Sequence, residues 1–350
     1  MSQLEHWNPV ALSSALGKKP LGVKVSGREI VLFRSADGTA GAIDDVCVHR
    51  RMRLSCGTVE RGCLVCPYHG WKFHADGYAE SPGTPRMRGR AESYDVREAQ
   101  GLLWVKPREC EAEFPLFKED DFHALGAMHH VAEAPLEVAL DNFSEVEHTP
   151  MTHKLFGYDL HRMAEVTCDV TTTEASVHCR TAGPHKPIDA WIRRVMGVGK
   201  NVEFFDEWDT YYSPVHMVID HSLRDADTKM PGRIQYRVHV FFTEVDEKQT
   251  NIFTVLHVKS RFPGPKQGMR IIGPWVKRFA SDEIEYDCQM LKRLADKSSD
   301  LAGTKLSRFD KLLQINRERI QRIYRRIDLP PMRANLMGGA ITPIRQDHVH

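Results

Sequence analysis

Four residues with metal-binding chemistry stand in two short words, Cys47-Val48-His49 and Cys66-Pro67-Tyr68-His69, separated by sixteen residues. Each word sets a thiolate and an imidazole close together on what reads as a tight loop. Two thiolates suit one iron of a [2Fe–2S] cluster, and two neutral imidazoles on the other iron remove negative charge and raise its potential. An imidazole that coordinates through one ring nitrogen keeps the other for a partner, so the histidine-bearing iron is expected at the outer edge. Zinc is the competing reading, because Cys63-Leu64-Val65-Cys66 is itself a CxxC and a Cys/His zinc site can be drawn from this inventory. Against it, zinc fingers seldom pair C-x-H with C-x2-H inside a strand-rich segment.

A second stretch, Asp141-Asn142-Phe143-Ser144-Glu145-Val146-Glu147-His148-Thr149-Pro150-Met151-Thr152-His153, holds two histidines among acids. Iron(II) that binds O2 needs protein ligands on one face and open positions on the other, which two histidines and one carboxylate supply. His148 and His153 are five residues apart, about 140° around an ideal helix. They cannot converge on one metal from a straight helix, so Pro150 is expected to break it and turn His153 inward. The competing reading is a helix end rich in histidine with a structural role.

The words around both sets decide between these readings. Cys47-Val48-His49-Arg50, Leu54-Ser55-Cys56-Gly57-Thr58-Val59 and Leu64-Val65-Cys66-Pro67-Tyr68-His69-Gly70-Trp71-Lys72-Phe73 closely resemble the cluster loops of Rieske non-haem iron oxygenases, and Gly101-Leu102-Leu103-Trp104-Val105 resembles the strand closing that domain. Asn142, Glu145, His148 and His153 match the family's N-x-x-D/E-x-x-H-x-x-x-x-H motif. The resemblance is to the oxygenase component of the compact single-subunit branch related to vanillate O-demethylase.

That resemblance implies a [2Fe–2S] cluster on Cys47, His49, Cys66 and His69, and a mononuclear Fe(II) on His148, His153 and a carboxylate from a C-terminal helix. In Ser281-Asp282-Glu283-Ile284-Glu285-Tyr286-Asp287-Cys288-Gln289, Asp282 takes the ligand position, with Glu283, Glu285 and Asp287 as competitors. Glu145 would bridge the cluster imidazole of one subunit to the iron-ligating histidine of the next in a homotrimer. Asn142 accompanies it at the catalytic site. The implied reaction is hydroxylation or oxidative demethylation of a small aromatic or cyclic compound with O2. Cis-dihydroxylation of aromatic rings is the runner-up, and an electron carrier without catalysis is the non-enzymatic alternative. No flavin- or nicotinamide-binding motif is present, so NAD(P)H and flavin enter only through a separate reductase, with flavin and plant-type ferredoxin domains. Substrate contacts are expected between about 160 and 290, with Phe204, Phe205, Trp208, His216, His221 and Trp275 as candidates.

Two departures stand out. Arg51 takes the place where the family usually has glycine, which alters a turn beside the cluster. Met52 and Tyr68 occupy the positions that a disulfide joins in respiratory Rieske proteins, so the loops resemble the lower-potential oxygenase type. Cys56 and Cys63 are expected as small buried thiols.

These residues need a scaffold. The 350 residues, with 41% apolar and 27% charged, are ordinary globular composition. A net charge of +1 gives no whole-chain basic field for nucleic acid. No run of about 18 apolar residues is present, and Met1–Pro9 has no secretory signal, so no membrane association and a cytoplasmic location are expected. Eight cysteines, four of them between 47 and 66, and eighteen histidines favour metal binding over a disulfide framework. Short β-rich runs at Leu21–Val25, Glu29–Arg34, Thr39–Ile43, Cys63–Cys66, Gly70–Phe73 and Leu102–Lys106 predict an all-β unit over 1–110. Pro107–Pro115 reads as a connector. Helices are expected over Pro135–His148, Pro274–Ala295 and Ser307–Ile327, and long strands in 163–180, 215–223, 233–243 and 251–260. The last helix, with Arg317, Arg319, Arg322, Arg325 and Arg326, offers either a docking face for an acidic reductase or a packing face. The fold class is α+β: an all-β Rieske domain, then a helix-grip-type catalytic domain over 111–350 with an antiparallel sheet flanked by helices.

Overall fold

The computed structural model describes residues 4–117, 121–261 and 267–327. Three antiparallel sheets build it. The first has six strands in the order Asn8–Leu12, Leu102–Pro107, Ser93–Ala99, Ala40–Asp44, Arg28–Arg34 and Leu21–Val25. Ser26 and Gly27, both at positive φ, form the two-residue turn that joins its last two strands, the geometry that matches the right-handed twist of a hairpin. Along Arg28–Arg34 the side chains alternate between two cores. Ile30 and Leu32 pack with Ala42, Tyr94 and Leu103, whereas Val31 and Phe33 pack with Leu54, Leu64, Phe73 and the two cysteines Cys47 and Cys66. The second core belongs to a five-stranded sheet, Thr58–Glu60, Cys63–Val65, Lys72–Phe73, Tyr78–Glu80 and Arg88–Arg90; the loop with Cys47 and His49 leads into it, and the loop with Cys66 and His69 joins its second and third strands.

Residues 108–117 carry no regular structure and lead to a seven-stranded sheet. Its order is His123–Ala132, Gln249–Ser260, Pro231–Asp246, Val215–Asp225, Val202–Tyr212, Ser176–Pro184 and Thr167–Thr172. The expected run 163–180 is a 3-10 segment, Leu160–Glu165, followed by a hairpin. Helices α1 (Leu136–Ser144), α2 (Thr149–Thr152), α3 (Ala190–Met196), α4 (Gln267–Arg293) and α5 (Lys311–Arg319) complete the unit. Successive residues of a strand face opposite sides, and here the two sides serve different neighbours. Phe242, Ile252 and Leu256 meet Leu136, Ala139 and Leu140 of α1, Ile284 of α4 and Leu312 of α5. Phe241, Phe253 and Val255 meet Trp7, Leu102 and Trp104 of the first sheet. Each such fully buried Leu, Ile or Phe contributes about 1.5–3 kcal/mol.

The basic C-terminal helix turns its arginines inward. Both carboxylate oxygens of Asp141 on α1 accept from Arg317, at 2.8 and 2.6 Å, and Arg325 pairs with Glu137 of the same helix. Arg322 and Arg326 alone of the five keep about half of their side chains exposed, so this helix is a clamp on α1 rather than an open basic face. Among the described residues no helix is long and apolar enough to cross a membrane.

Candidate metal centres

The two N-terminal loops share one turn. The Cys47 N–H donates to Met52 and its carbonyl accepts from Arg51, while the Cys66 N–H donates to Trp71 and its carbonyl accepts from Gly70. Gly70 and Arg51 occupy equivalent corners at φ +69° and +57°, a region that costs most side chains but not glycine. The turn expected to change at Arg51 is therefore kept, with an arginine held in the left-handed conformation. Cys47 and Cys66 are 1% and 2% exposed, and His49 and His69 are exposed with ring centroids 4.6 Å apart. His49 stacks on Trp71, which fixes its plane. Burial, and the Cys66 thiol beside it, push the Cys47 thiol up. Desolvation, then the His49 and Arg50 charges, hold His69 below its ordinary value, which leaves it neutral and able to coordinate. Two thiols facing inward and two imidazoles facing outward fit a [2Fe–2S] cluster with its histidine-bearing iron at the surface. Cys56 and Cys63 depart from expectation: Cys56 is exposed, and Cys63 is partly exposed, 3.8 Å from His74 Nδ1.

The second site is built on a broken helix. The helix expected to run to His148 stops at Ser144, because Glu145 is extended at φ −128°, ψ 162°. Ser144 Oγ already bonds the Leu140 carbonyl, and Pro150 sits in the first turn of α2, where its missing N–H costs nothing. The break thus precedes His148 rather than falling at Pro150. His148 and His153 cap the two ends of the single-turn α2. Their Nε2 atoms lie 3.1 Å apart, each 3.4 Å from Asp287 Oδ1.

Each imidazole also has a carboxylate behind it. His148 Nδ1 bonds Glu145 Oε1, and Glu145 Oε2 accepts the backbone N–H of His148 at 3.2 Å. His153 Nδ1 lies 3.0 Å from Glu283 Oε2, and Lys186 donates to the His153 carbonyl. Such partners fix ring orientation and raise ligand basicity. Asp287 is 4% exposed, and its Oδ1 has no hydrogen-bond donor among the described residues. Burial alone would depress His148, but Asp287 and Glu145 outweigh it and lift it to about 10. The pocket draws positive charge, and its two-histidine, one-carboxylate set suits Fe(II).

Asp282 is not part of this arrangement. Its side chain is 45% exposed and pairs with Arg278 at 3.0 Å. Five residues along α4 is a turn of about 140°, so Asp282 and Asp287 cannot share a face, whereas Glu283 and Asp287, four apart, do. Glu285 is exposed. Asp287, rather than the expected Asp282, is the carboxylate that this geometry sets beside the two imidazoles. The apolar residues Ile284, Cys288 and Leu291, all buried, mark the inward face of α4 and were the signal available in the sequence. Asn142, the first residue of the motif, sits in the last turn of α1, its Nδ2 buried with no bonding partner among the described residues.

A cavity of about 120 Å³ opens onto these ligands. His153, Asp287 and Glu283 form one wall, and Phe143, Phe156, Phe204, Ile219, Tyr236, Leu256 and Phe279 most of the rest. Of the expected contacts, Phe204 and His221 line it. Phe205 faces a separate polar depression, Trp208 is core, His216 is buried against Tyr211 and Phe241, and Trp275 is 78% exposed.

Residues 6–95 match the Rieske [2Fe-2S] domain family, and residues 132–321, over half of the chain, match the vanillate O-demethylase oxygenase C-terminal domain family. Chlorophyllide a oxygenase of Oryza sativa subsp. japonica is 33% identical over 153 residues, 42% of this chain and 28% of that protein. The vanillate O-demethylase oxygenase subunit of Pseudomonas sp. (strain HR199 / DSM 7063) is 28% identical over 156 residues, 42% of this chain and 44% of that protein. The matched stretch thus spans less than half of either relative. In fold, a crystal structure of dicamba monooxygenase bound to 3,6-dichlorosalicylic acid superposes with a TM-score of 0.75 at 18% identity, covering 92% of this chain and 98% of that one.

Proposed function

The chain belongs to the oxygenases that join a Rieske [2Fe–2S] domain to a vanillate O-demethylase oxygenase C-terminal domain, and from that premise we propose that it is the terminal oxygenase of a multicomponent system, hydroxylating or oxidatively demethylating a small ring compound. The observation that carries this reading is the convergence of His148, His153 and Asp287, the last two of which lie in the wall of a largely apolar cavity. In it, Cys47, His49, Cys66 and His69 hold the cluster, and His148, His153 and Asp287 hold a mononuclear iron. When bound there, a cluster would supply single electrons and a ferrous iron would activate O2. The division into a cluster domain over 1–110 and a catalytic domain over 111–350 follows the change from two small sheets to one long-stranded sheet with helices.

The chain's own residues set the conditions. Glu145 and Glu283 hold the two imidazoles with Nε2 toward Asp287, and the phenylalanine-rich wall excludes water from the reacting position. In this reading the chain works as a homotrimer, with Glu145 as the hydrogen-bonding bridge between a neighbouring copy's cluster imidazole and His148. The exposed Tyr68 beside His69 and the exposed Met151 between His148 and His153 support buried contacts at both ends of that path. A separate reductase delivers electrons at His49 and His69.

O2 uptake with a reductase and a panel of methylated aromatics, N-methyl compounds and alicyclic alkaloids tests the proposal. Demethylated or hydroxylated products in step with O2 uptake are expected. Products confined to cis-diols on unsubstituted rings would replace it with dioxygenation.

A further inference from the structure

Two cysteines that belong to neither metal centre touch each other. Cys168 and Cys179 stand on Thr167–Thr172 and Ser176–Pro184, the antiparallel hairpin at one edge of the seven-stranded sheet. Cys168 is the register partner of Thr181 and Cys179 that of Val170, so the two cysteines are diagonal neighbours on one face. Their Sγ atoms lie 3.9 Å apart. The pair is asymmetric. Cys179 is 1% exposed, whereas Cys168 is partly exposed on the edge strand. Lys311, at the start of α5, and Arg308, which donates to the Met163 carbonyl at 2.8 Å, set two cations against Cys168. The bond from Cys179, helped by those cations, holds the Cys168 thiol below its ordinary value despite its burial. The same bond, then burial, pushes the Cys179 thiol up.

We propose that Cys168 and Cys179 form a modification site, a dithiol that hydrogen peroxide converts to a disulfide in two steps. Cysteines that react with peroxide are accessible, have thiolate character and stand next to a resolving thiol. Cys168 is the reacting thiol here, and Cys179 the resolving one. The Cys168 thiolate attacks one peroxide oxygen, the O–O bond breaks, and the departing hydroxide takes the thiol's proton to become water. Cys168 is left as a sulfenic acid. The Cys179 sulfur then attacks it, the S–O bond breaks, and the Cys179 proton leaves with the hydroxyl as a second water. Two thiols lose two electrons, and one peroxide becomes two waters. An S–S bond is ~2.05 Å long, so the sulfurs must close about half of their 3.9 Å separation. Among the described residues Thr167–Thr172 pairs on one side only, which leaves that strand free to move inward. The chemistry uses neither metal centre and goes beyond the oxygenase reading.

The test gives the full chain, freed of reductant, one equivalent of hydrogen peroxide, then blocks remaining thiols with N-ethylmaleimide and digests with trypsin. Cleavage after Arg162 and Arg180 puts both cysteines on one peptide, residues 163–180. That peptide should carry no label and be lighter by two hydrogens, and dithiothreitol should restore its double labelling. It should form at least about tenfold faster than the exposed Cys56 is oxidised. Cys179→Ser should stop at a sulfenic acid that dimedone traps on Cys168. Cys168→Ser should leave Cys179 open to labelling, with no dimedone adduct. A peptide that stays doubly labelled, a dimedone adduct on Cys179, or Cys56 oxidised first would overturn the proposal. A disulfide that forms only as the cluster's visible spectrum bleaches would overturn it too, because released iron would then drive the oxidation.

Discussion

His148 and His153 meet at their Nε2 atoms, 3.1 Å apart, although five residues separate them and a straight helix would point them apart. The helix break at Glu145 and the single turn of α2 make the meeting possible, and the same glutamate that ends α1 then grips the first imidazole.

Asp287 closes this pair, whereas Asp282 faces solvent. Asp287→Ala should lose the mononuclear iron and all substrate-coupled O2 uptake while keeping the cluster's visible spectrum. Asp282→Ala should change iron content and O2 uptake little, since its pair with Arg278 is exposed. Iron analysis of both variants checks this, and the opposite pattern would restore Asp282 as the ligand.

Glu145 grips His148 at both its Nδ1 and its backbone N–H. Glu145→Gln keeps the length but removes the charged acceptor at Nδ1, so ferrous affinity should fall about 10–100-fold. A chelator-competition titration measures it; an unchanged affinity would leave Glu145 with no orienting role.

Gly157 supports α2 from the opposite side. At φ +119°, a Cβ there would stand 2.7 Å from Thr149 Cβ and Oγ1. Gly157→Ala should therefore cost about 2 kcal/mol and weaken iron binding by displacing the start of α2. Gly83→Ala, which meets nothing within 4 Å, is the control. Thermal melts and iron content together report both effects.

Metal loading should depend on pH in a definite direction. Without metal, His148 holds its proton up to about 10, and iron needs the neutral ring. Below that value each pH unit upward weakens the one proton's competition tenfold, so apparent ferrous affinity should rise about tenfold per unit. Anaerobic titrations at pH 6.5, 7.5 and 8.5 check the slope, and affinity falling with pH would contradict the assignment of His148.

Much of the scaffold was legible because it is locally encoded. The turns at Ser26-Gly27 and Asp37-Gly38 bound strands near the expected residues, and both cluster loops carry their ligands in consecutive words. The third ligand was less legible because α4 is acidic on several faces, and only burial separates Asp287 from Asp282 and Glu285. The strand Val202–Tyr212, with Asp206, was not anticipated: its run of Glu and Asp reads as surface until the neighbouring strand places His221 opposite. The end of α1 was missed for a related reason. Glu145 is a good helix former, and the local side-chain bonds to His148 that accompany its extended backbone are invisible to periodicity.

Two distinct iron centres on one chain require more iron than a Rieske cluster alone. Iron and acid-labile sulfide, counted in anaerobically prepared protein alongside the electron paramagnetic resonance of its dithionite-reduced form, test this most directly. About three irons and two sulfides per chain are expected, with the rhombic signal of a histidine-ligated [2Fe–2S] cluster. Colourless protein holding only zinc, with no such signal, would contradict it.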